Sequence, residues 1–188
     1  MTTGNLDGRR KRKCLVCIAA GVIIQTLIIV LFVVLIMRIR TPKVRLSSVS
    51  VESININPSS KSASFRIKVN AEVKVRNTNF GHYKFENSTA TILYRGAEVG
   101  KTSLVKTRVR ARSTKRFNVT MSFNSNKVSS DSNLGSDISS KNLSFSAYAK
   151  LEGKVHLFKI FKKKRSATMN CTFVVNTSSK TVNDLLCK

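Results

Sequence analysis

Carboxylates are scarce in this chain: nine Asp and Glu stand against 34 Lys and Arg in 188 residues, a formal net charge of +25. Tryptophan is missing, and there are only two histidines, two prolines and four cysteines. Each shortage closes a class of function. The eight acids after position 37 are scattered singly, so no carboxylate pair is set up locally for glycosidase-type acid–base work. His82 and His156 stand apart, no Ser sits in a G-x-S-x-G elbow, and Cys14-x-x-Cys17 lacks the second ligand pair that a zinc site needs. "GAEVGKTS" (96–103) places three residues between its glycines where a phosphate-cradling loop has four. The sequence therefore predicts no enzyme, no metal and no cofactor. With 7% aromatics to stack bases and no recognised binding motif, it predicts no nucleic-acid partner either.

What the chain does contain begins with an uncharged run, "CLVCIAAGVIIQTLIIVLFVVLIM" (14–37). As a helix it extends about 36 Å, enough to cross a ~30 Å hydrocarbon core with some tilt. It is too long for the apolar part of a cleaved signal peptide, so a retained single-pass transmembrane anchor is expected. Gln25 and Thr26 interrupt it, either as tolerated polar residues or as hydrogen-bonding groups between anchors. "RRKRK" (9–13) precedes the run, against Arg38, Arg40, Lys43 and Arg45 after it. That is a slim positive-inside vote for a cytosolic N-terminus. The sequons at Asn87, Asn118, Asn142, Asn170 and Asn176 all follow the run and place the remainder outside the cytosol, with those asparagines as candidate glycosylation sites.

Cysteine placement agrees. Cys14 and Cys17 sit at the membrane edge, where they are S-palmitoylation candidates or simply small apolar residues of the span. Cys171 and Cys187 lie in the distal part, as suits an oxidising compartment. They are a candidate disulfide worth about 3 kcal/mol by loop closure. The alternative is a buried thiol at Cys171 and a frayed end at Cys187. The expected division is a basic tail (1–13), an anchor (14–37), a stem (38–47), a β domain (48–178) and a C-terminal tail (179–188).

Period-two alternation dominates after the stem, because successive strand side chains point to opposite faces. "FRIKVNAEVKVR" (65–76) puts Phe65, Ile67, Val69, Ala71, Val73 and Val75 on one face, and "RFNVTMSF" (116–123) alternates likewise. In 49–57 the alternation slips at Glu52–Ser53, which predicts a bulge. A hairpin turning at Gly96 is read over 89–105, a polar loop over 124–142, strands over 143–151, 154–161 and 167–175, and a turn at "KKKR" (162–165). About seven short strands predict an all-β sandwich.

The polar faces are unusually cationic. Arg66, Lys68, Lys74 and Arg76 share one face of the first long strand. Lys106, Arg108, Arg110 and Arg112 alternate in "VKTRVRAR" (105–112), and Lys162, Lys163, Lys164 and Arg165 follow. After position 37 there are 29 basic against 8 acidic residues, a net +21. Such a surface is either simply solvated or a polyanion-binding face. These twelve residues are the candidate contacts, with acidic polysaccharide and an anionic membrane surface as the candidate polyanions.

Specific stretches carry a resemblance to a family. Asn77-x-Asn79 follows a long strand, Tyr94-Arg95-Gly96-Ala97-Glu98-Val99-Gly100 forms the next hairpin, Gly153-Lys154-Val155 follows a late strand, and Cys171 stands in the last. Over about residues 45–176, and in its anchor layout, the chain resembles the plant late-embryogenesis-abundant group 2 family, which includes the NDR/HIN-like or hydroxyproline-rich glycoprotein membrane proteins. Thr78 stands where that family usually has Pro. The resemblance implies a fibronectin- or immunoglobulin-like sandwich, a plasma-membrane location (or another endomembrane), and a part in defence or stress responses. From it we expect a non-enzymatic extracellular or lumenal adaptor or wall- or membrane-binding module, its partners acidic cell-wall polysaccharide first, anionic lipid second, or membrane proteins. A lipid-binding or lipid-transfer module with an apolar groove is the alternative.

Overall fold

The computed structural model describes residues 4–58, 63–157 and 161–188; for 4–12 and 35–37 it describes the backbone. Parts of the expected basic tail (1–3) and of the 154–161 strand (158–160) lie outside the described residues. Two compact units are present, 1–38 and 39–188. The first is a helix, α1 (Gly4–Met37). Its stretch Lys13–Val34 has a mean hydropathy of 2.8 and is long and apolar enough to cross a membrane. Such a helix is compatible with a membrane anchor or a signal sequence. The Thr26 hydroxyl donates to the Ile23 carbonyl within this helix (2.8 Å), so this polar group is satisfied without a second anchor.

Among the described residues the second unit has ten strands: β1 (Lys43–Asn57), β2 (Ser64–Arg76), β3 (His82–Phe85), β4 (Ser88–Tyr94), β5 (Ala97–Leu104), β6 (Thr107–Val109), β7 (Thr114–Asn124), β8 (Asn142–Leu157), β9 (Phe161–Asn176) and β10 (Thr181–Cys187). A short helix, α2 (Leu134–Ser139), lies in the 124–142 segment. All pairings are antiparallel, in two sheets. One runs β1-β2-β7; the other runs β10-β9-β8-β3-β6, with the β4–β5 hairpin also on β8.

Alternation sets which face is buried. Phe65, Ile67, Val69, Ala71, Val73 and Val75 of β2 are all within 3% of full burial, and their register partners on β7 include Met121 and Phe123. Tyr83, Phe85, Phe145, Ala147, Ala149, Met169 and Phe173 belong to the same core from the other sheet. Rings meet across the two layers: Phe123 on Phe145 with centroids 4.8 Å apart, and Phe65 on Phe145 at 5.5 Å. The two sheets therefore pack through their apolar faces and turn their polar faces away from each other.

Several expectations are corrected. The stem is shorter than 38–47, because Lys43 already opens β1 and Val44 and Leu46 are buried. The tail 179–188 is not loose, since β10 pairs with β9. The strands at 143–151 and 154–157 are one strand, β8. "KKKR" is no turn, because β9 continues through it in register with β8. The bulge does occur between Val51 and Ser53, and a second lies between Leu46 and Ser48. The hairpin turns on Arg95-Gly96, both with positive φ (47° and 86°), as the tight turn matching strand twist requires.

Candidate polyanion-binding faces

The Asn77–Asn79 pair is structural. Both residues are buried. The Asn77 amide donates to the carbonyls of Gly81 (2.8 Å) and Arg110 (2.9 Å), and its oxygen accepts from the Asn79 backbone and side chain. Asn79 in turn accepts from the Arg40 N–H (2.6 Å) and donates to the Arg40 carbonyl (2.7 Å). The loop after β2 is thereby pinned to the point where the chain enters the domain.

That pinned loop leads straight into β3, which brings together charges far apart in sequence. Lys84 of β3 is opposite Arg108 of β6 on one side and Lys154 of β8 on the other, and Lys154 is opposite Lys164 of β9. Four exposed cations thus form a row across four adjacent strands on the outer face of the sheet. Neighbouring strands are ~4.8 Å apart, so the row is ~14 Å long from end to end. None of the four forms an ion pair with a described residue. Lys84, Lys154, His156, Lys162 and Lys164 line a cleft of about 680 Å³ together with Glu86 and Glu152. Glu152 is held by Lys150 (2.7 Å).

A second row lies beside the first: His82, His156 and Lys162 are opposite one another on β3, β8 and β9. The Nδ1 of His82 is buried, with no hydrogen-bond partner among the described residues. Burial, and then the charges of Arg108, Lys84 and Arg110, hold the His82 pKa below the ordinary imidazole value. His156 is lowered likewise, by burial first and then by Lys84, Lys162 and Lys154. Beneath this face Tyr83 shares its hydroxyl between the carbonyls of Leu151 (2.9 Å) and Arg165 (3.1 Å), and burial pushes its pKa up to about 12. Gly153 permits the packing, since a Cβ there would stand 2.5 Å from the Lys84 carbonyl and 2.7 Å from the Tyr83 ring.

On the other sheet the β2 stripe divides. Lys68 is neutralised by Glu52, and Arg66 lies between Asn55 and Asn124. Lys74 is flanked by Arg45 on β1 and Arg116 on β7, and Arg76 is opposite Lys43. Lys43, Arg45, Lys74 and Arg76 enclose a pocket of about 150 Å³ with no acid in its lining. Glu72 reaches only Arg116, at 4.0 Å.

Two expected ladders do not form as read. In 105–112 the strand is only Thr107–Val109. Lys106 is held in a loop by the Asn87 side chain (2.8 Å), while Arg112 has a positive φ of 52° and covers the Phe80 ring at 4.5 Å. Of these four, only Arg108 joins a row. In 162–165, Lys162 and Lys164 face the cleft, whereas Lys163 and Arg165 alternate to the other side, where Arg165 donates to the Ile39 carbonyl (3.2 Å). Lys84 and Lys154, the centre of the row, were missed by sequence reading; each is a lone cation between apolar or glycine neighbours.

The remaining sites are placed as follows. Cys171 and Cys187, opposite one another on β9 and β10, are joined by a disulfide, and Cys14 and Cys17 are free and exposed. Asn87, Asn118, Asn142 and Asn170 are exposed. Asn176 is half-buried, its oxygen accepting from Ser178 and Ser179 and its amide donating to Asn142. No group of three or more His, Cys, Asp or Glu positioned for a metal occurs among the described residues.

The family model of the late embryogenesis abundant proteins, LEA_2, matches residues 72–172, more than half of the chain. The chain belongs to this family. A curated relative, the late embryogenesis abundant protein At1g64065 of Arabidopsis thaliana, is 26% identical over 180 residues, covering 94% of this chain and 83% of the relative. Among solved structures, a protein from Archaeoglobus fulgidus is similar with a TM-score of 0.39 and 14% identity, over 68% of this chain and 95% of that one. AT1g01470 of Arabidopsis thaliana follows with a TM-score of 0.36 and 13% identity, over 71% and 82%. Membership of the late embryogenesis abundant family points to a stress-related role, and the match spans both β3 and β8, which carry the middle of the cation row.

Proposed function

We propose that this late embryogenesis abundant protein is a non-enzymatic, single-pass membrane protein of the plasma membrane with a cytosolic N-terminus. Its β domain, outside the cytosol, binds acidic polysaccharide through the outer face of β6-β3-β8-β9 and serves as a wall-binding adaptor in stress or defence responses. The observation that carries this reading is the row Arg108–Lys84–Lys154–Lys164. Like charges directly opposite one another in a sheet are destabilising, and a row of four cations, outnumbering the Glu86 and Glu152 that share the cleft, is stabilised by an external linear anion. A neutral or apolar ligand brings no such relief. Lipid carriage in an apolar groove has less support, because the centre of the domain is filled by packed rings and the 680 Å³ cleft is lined mainly by charged side chains.

The test uses the full chain in vesicles of zwitterionic lipid. De-esterified polygalacturonate is expected to sediment with these vesicles at low salt and to release as salt rises, as counterion-driven binding does. Fully methyl-esterified pectin should not bind. Equal binding of the neutral polymer refutes the reading. Topology is tested separately: in plant cells, removal of N-glycans should increase the gel mobility of the protein, and an unchanged mobility, together with protease reaching the domain in sealed microsomes, would place the domain in the cytosol.

A further inference from the structure

The two cation rows lie on opposite sides of the domain. The first is on the outer face of the sheet containing β3, β6, β8 and β9. The second, Arg45–Lys74–Arg116, crosses β1, β2 and β7 on the outer face of the other sheet. The two sheets share one core, and packed sheets are ~10 Å apart, so the rows face away from each other across the full thickness of the domain. No single extended chain reaches both without turning around an edge. Most acids are paired off either row: Glu52 on Lys68, Glu98 on Lys101 and Lys127, and Asp137 on Arg95; Glu86 and Glu152 share the cleft of the first row, Glu152 paired with Lys150. Only Glu72 touches the second row, and only at 4.0 Å from Arg116.

We infer that the domain is bivalent and cross-links two acidic polysaccharide chains, one on each sheet face. This rests on the polysaccharide-binding reading above and adds a second site and a bridging activity to it. Both sites use the same chemistry. Each row presents cations at strand spacing, perpendicular to the strands, to carboxylates repeated once per sugar ring.

The experiment uses the full chain made in bacteria, so that no N-glycan at Asn118, two residues along β7 from Arg116, screens the second face. The chain is reconstituted at one copy per zwitterionic nanodisc, which prevents two copies from acting as a pair, and empty discs set the baseline. Binding to polygalacturonate is measured by fluorescence anisotropy. Bridging is measured separately, as energy transfer between donor-labelled and acceptor-labelled polygalacturonate. The wild type is expected to bind and to raise transfer. The pair Lys84→Gln with Lys154→Gln, or the pair Arg45→Gln with Lys74→Gln, should halve the binding stoichiometry and return transfer to baseline. All four substitutions together should abolish binding.

Transfer that persists in either pair variant overturns bivalency. So does one pair abolishing all binding while the other changes nothing, which describes a single site. If the wild type binds without raising transfer, bivalency fails while polysaccharide binding stands. If the wild type does not bind at all, both fall.

Discussion

Neutralising Lys154 should make the protein more stable while weakening its hold on polyanions. Lys154 is directly opposite Lys84 on one side and Lys164 on the other, so Lys154→Gln removes two like-charge cross-strand contacts. Such contacts are each worth a few tenths of a kcal/mol to about 1 kcal/mol. Exposure and screening keep the sum near the low end, at about 0.5–1 kcal/mol. For a domain of this size that corresponds to a rise in Tm of roughly 1–4 °C. Thermal unfolding of the full chain in neutral detergent, followed by circular dichroism at 20 mM and 1 M salt, measures it. The gain should nearly vanish at 1 M, where the screening length shrinks to ~3 Å. Lys150→Gln is the matched control: it lies on the same strand and face, but its ammonium is paired with Glu152, so it should give no gain. The reasoning is refuted if Lys154→Gln lowers Tm, if its gain is the same at both salt concentrations, or if Lys150→Gln raises Tm equally. A gain would mean that the row is kept at a cost to the fold, as binding surfaces often are.

The histidine pair gives a pH signature. Both pKa values are held below the ordinary value of 6.5, so on acidification the unfolded chain takes up protons before the folded one does. Stability is therefore fully present above 6.5 and falls as pH drops through the folded values. The charged groups facing the pair are Lys84 of β3, Arg108 and Arg110 at β6, Lys154 of β8 and Lys162 of β9. A Tm series from pH 8 to pH 5 should slope downward, and the double variant His82→Gln, His156→Gln should flatten it; an unchanged slope counts against the assignment. Asn79→Ala leaves the Arg40 N–H and carbonyl without these partners in a part-buried place. It should cost about 2–3 kcal/mol, read as a fall in the urea midpoint, with a loss under 0.5 kcal/mol contradicting the clasp. Cys187→Ser should cost about 3 kcal/mol through loop closure, and a reducing agent should lower wild-type stability to the same level while leaving the variant unchanged.

Where one strand's own pattern decides the structure, the sequence was readable. β2 and β7 alternate without error, and the buried faces are the ones the alternation names. The slip at Glu52–Ser53 is likewise a real register shift. What one strand cannot contain is its partner. Lys84 in Tyr-Lys-Phe and Lys154 in Gly-Lys-Val look ordinary alone, and only the pairing of β3 with β8 makes them neighbours. The 105–112 run shows the converse, since perfect alternation forms only a three-residue strand when the chain turns at Arg112. "KKKR" has no alternation and is nonetheless strand, because its ladder with β8 continues through it. In the stem, Lys43 and Arg45 alternate with Val44 and Leu46, and that spacing is the start of β1.

The clasp of Asn79 on Arg40 also bears on mechanics. Residues 38–42 are the covalent path from α1 to β1, so any pull between helix and domain enters at Arg40. It is met first by the two Asn79 hydrogen bonds and then by β1, paired with β2 from Lys43 to Asn57. A pull along β1 loads that ladder in shear, with its bonds sharing the force. Peeling would break them one after another. The point at which the chain enters the domain is therefore reinforced where tension would arrive.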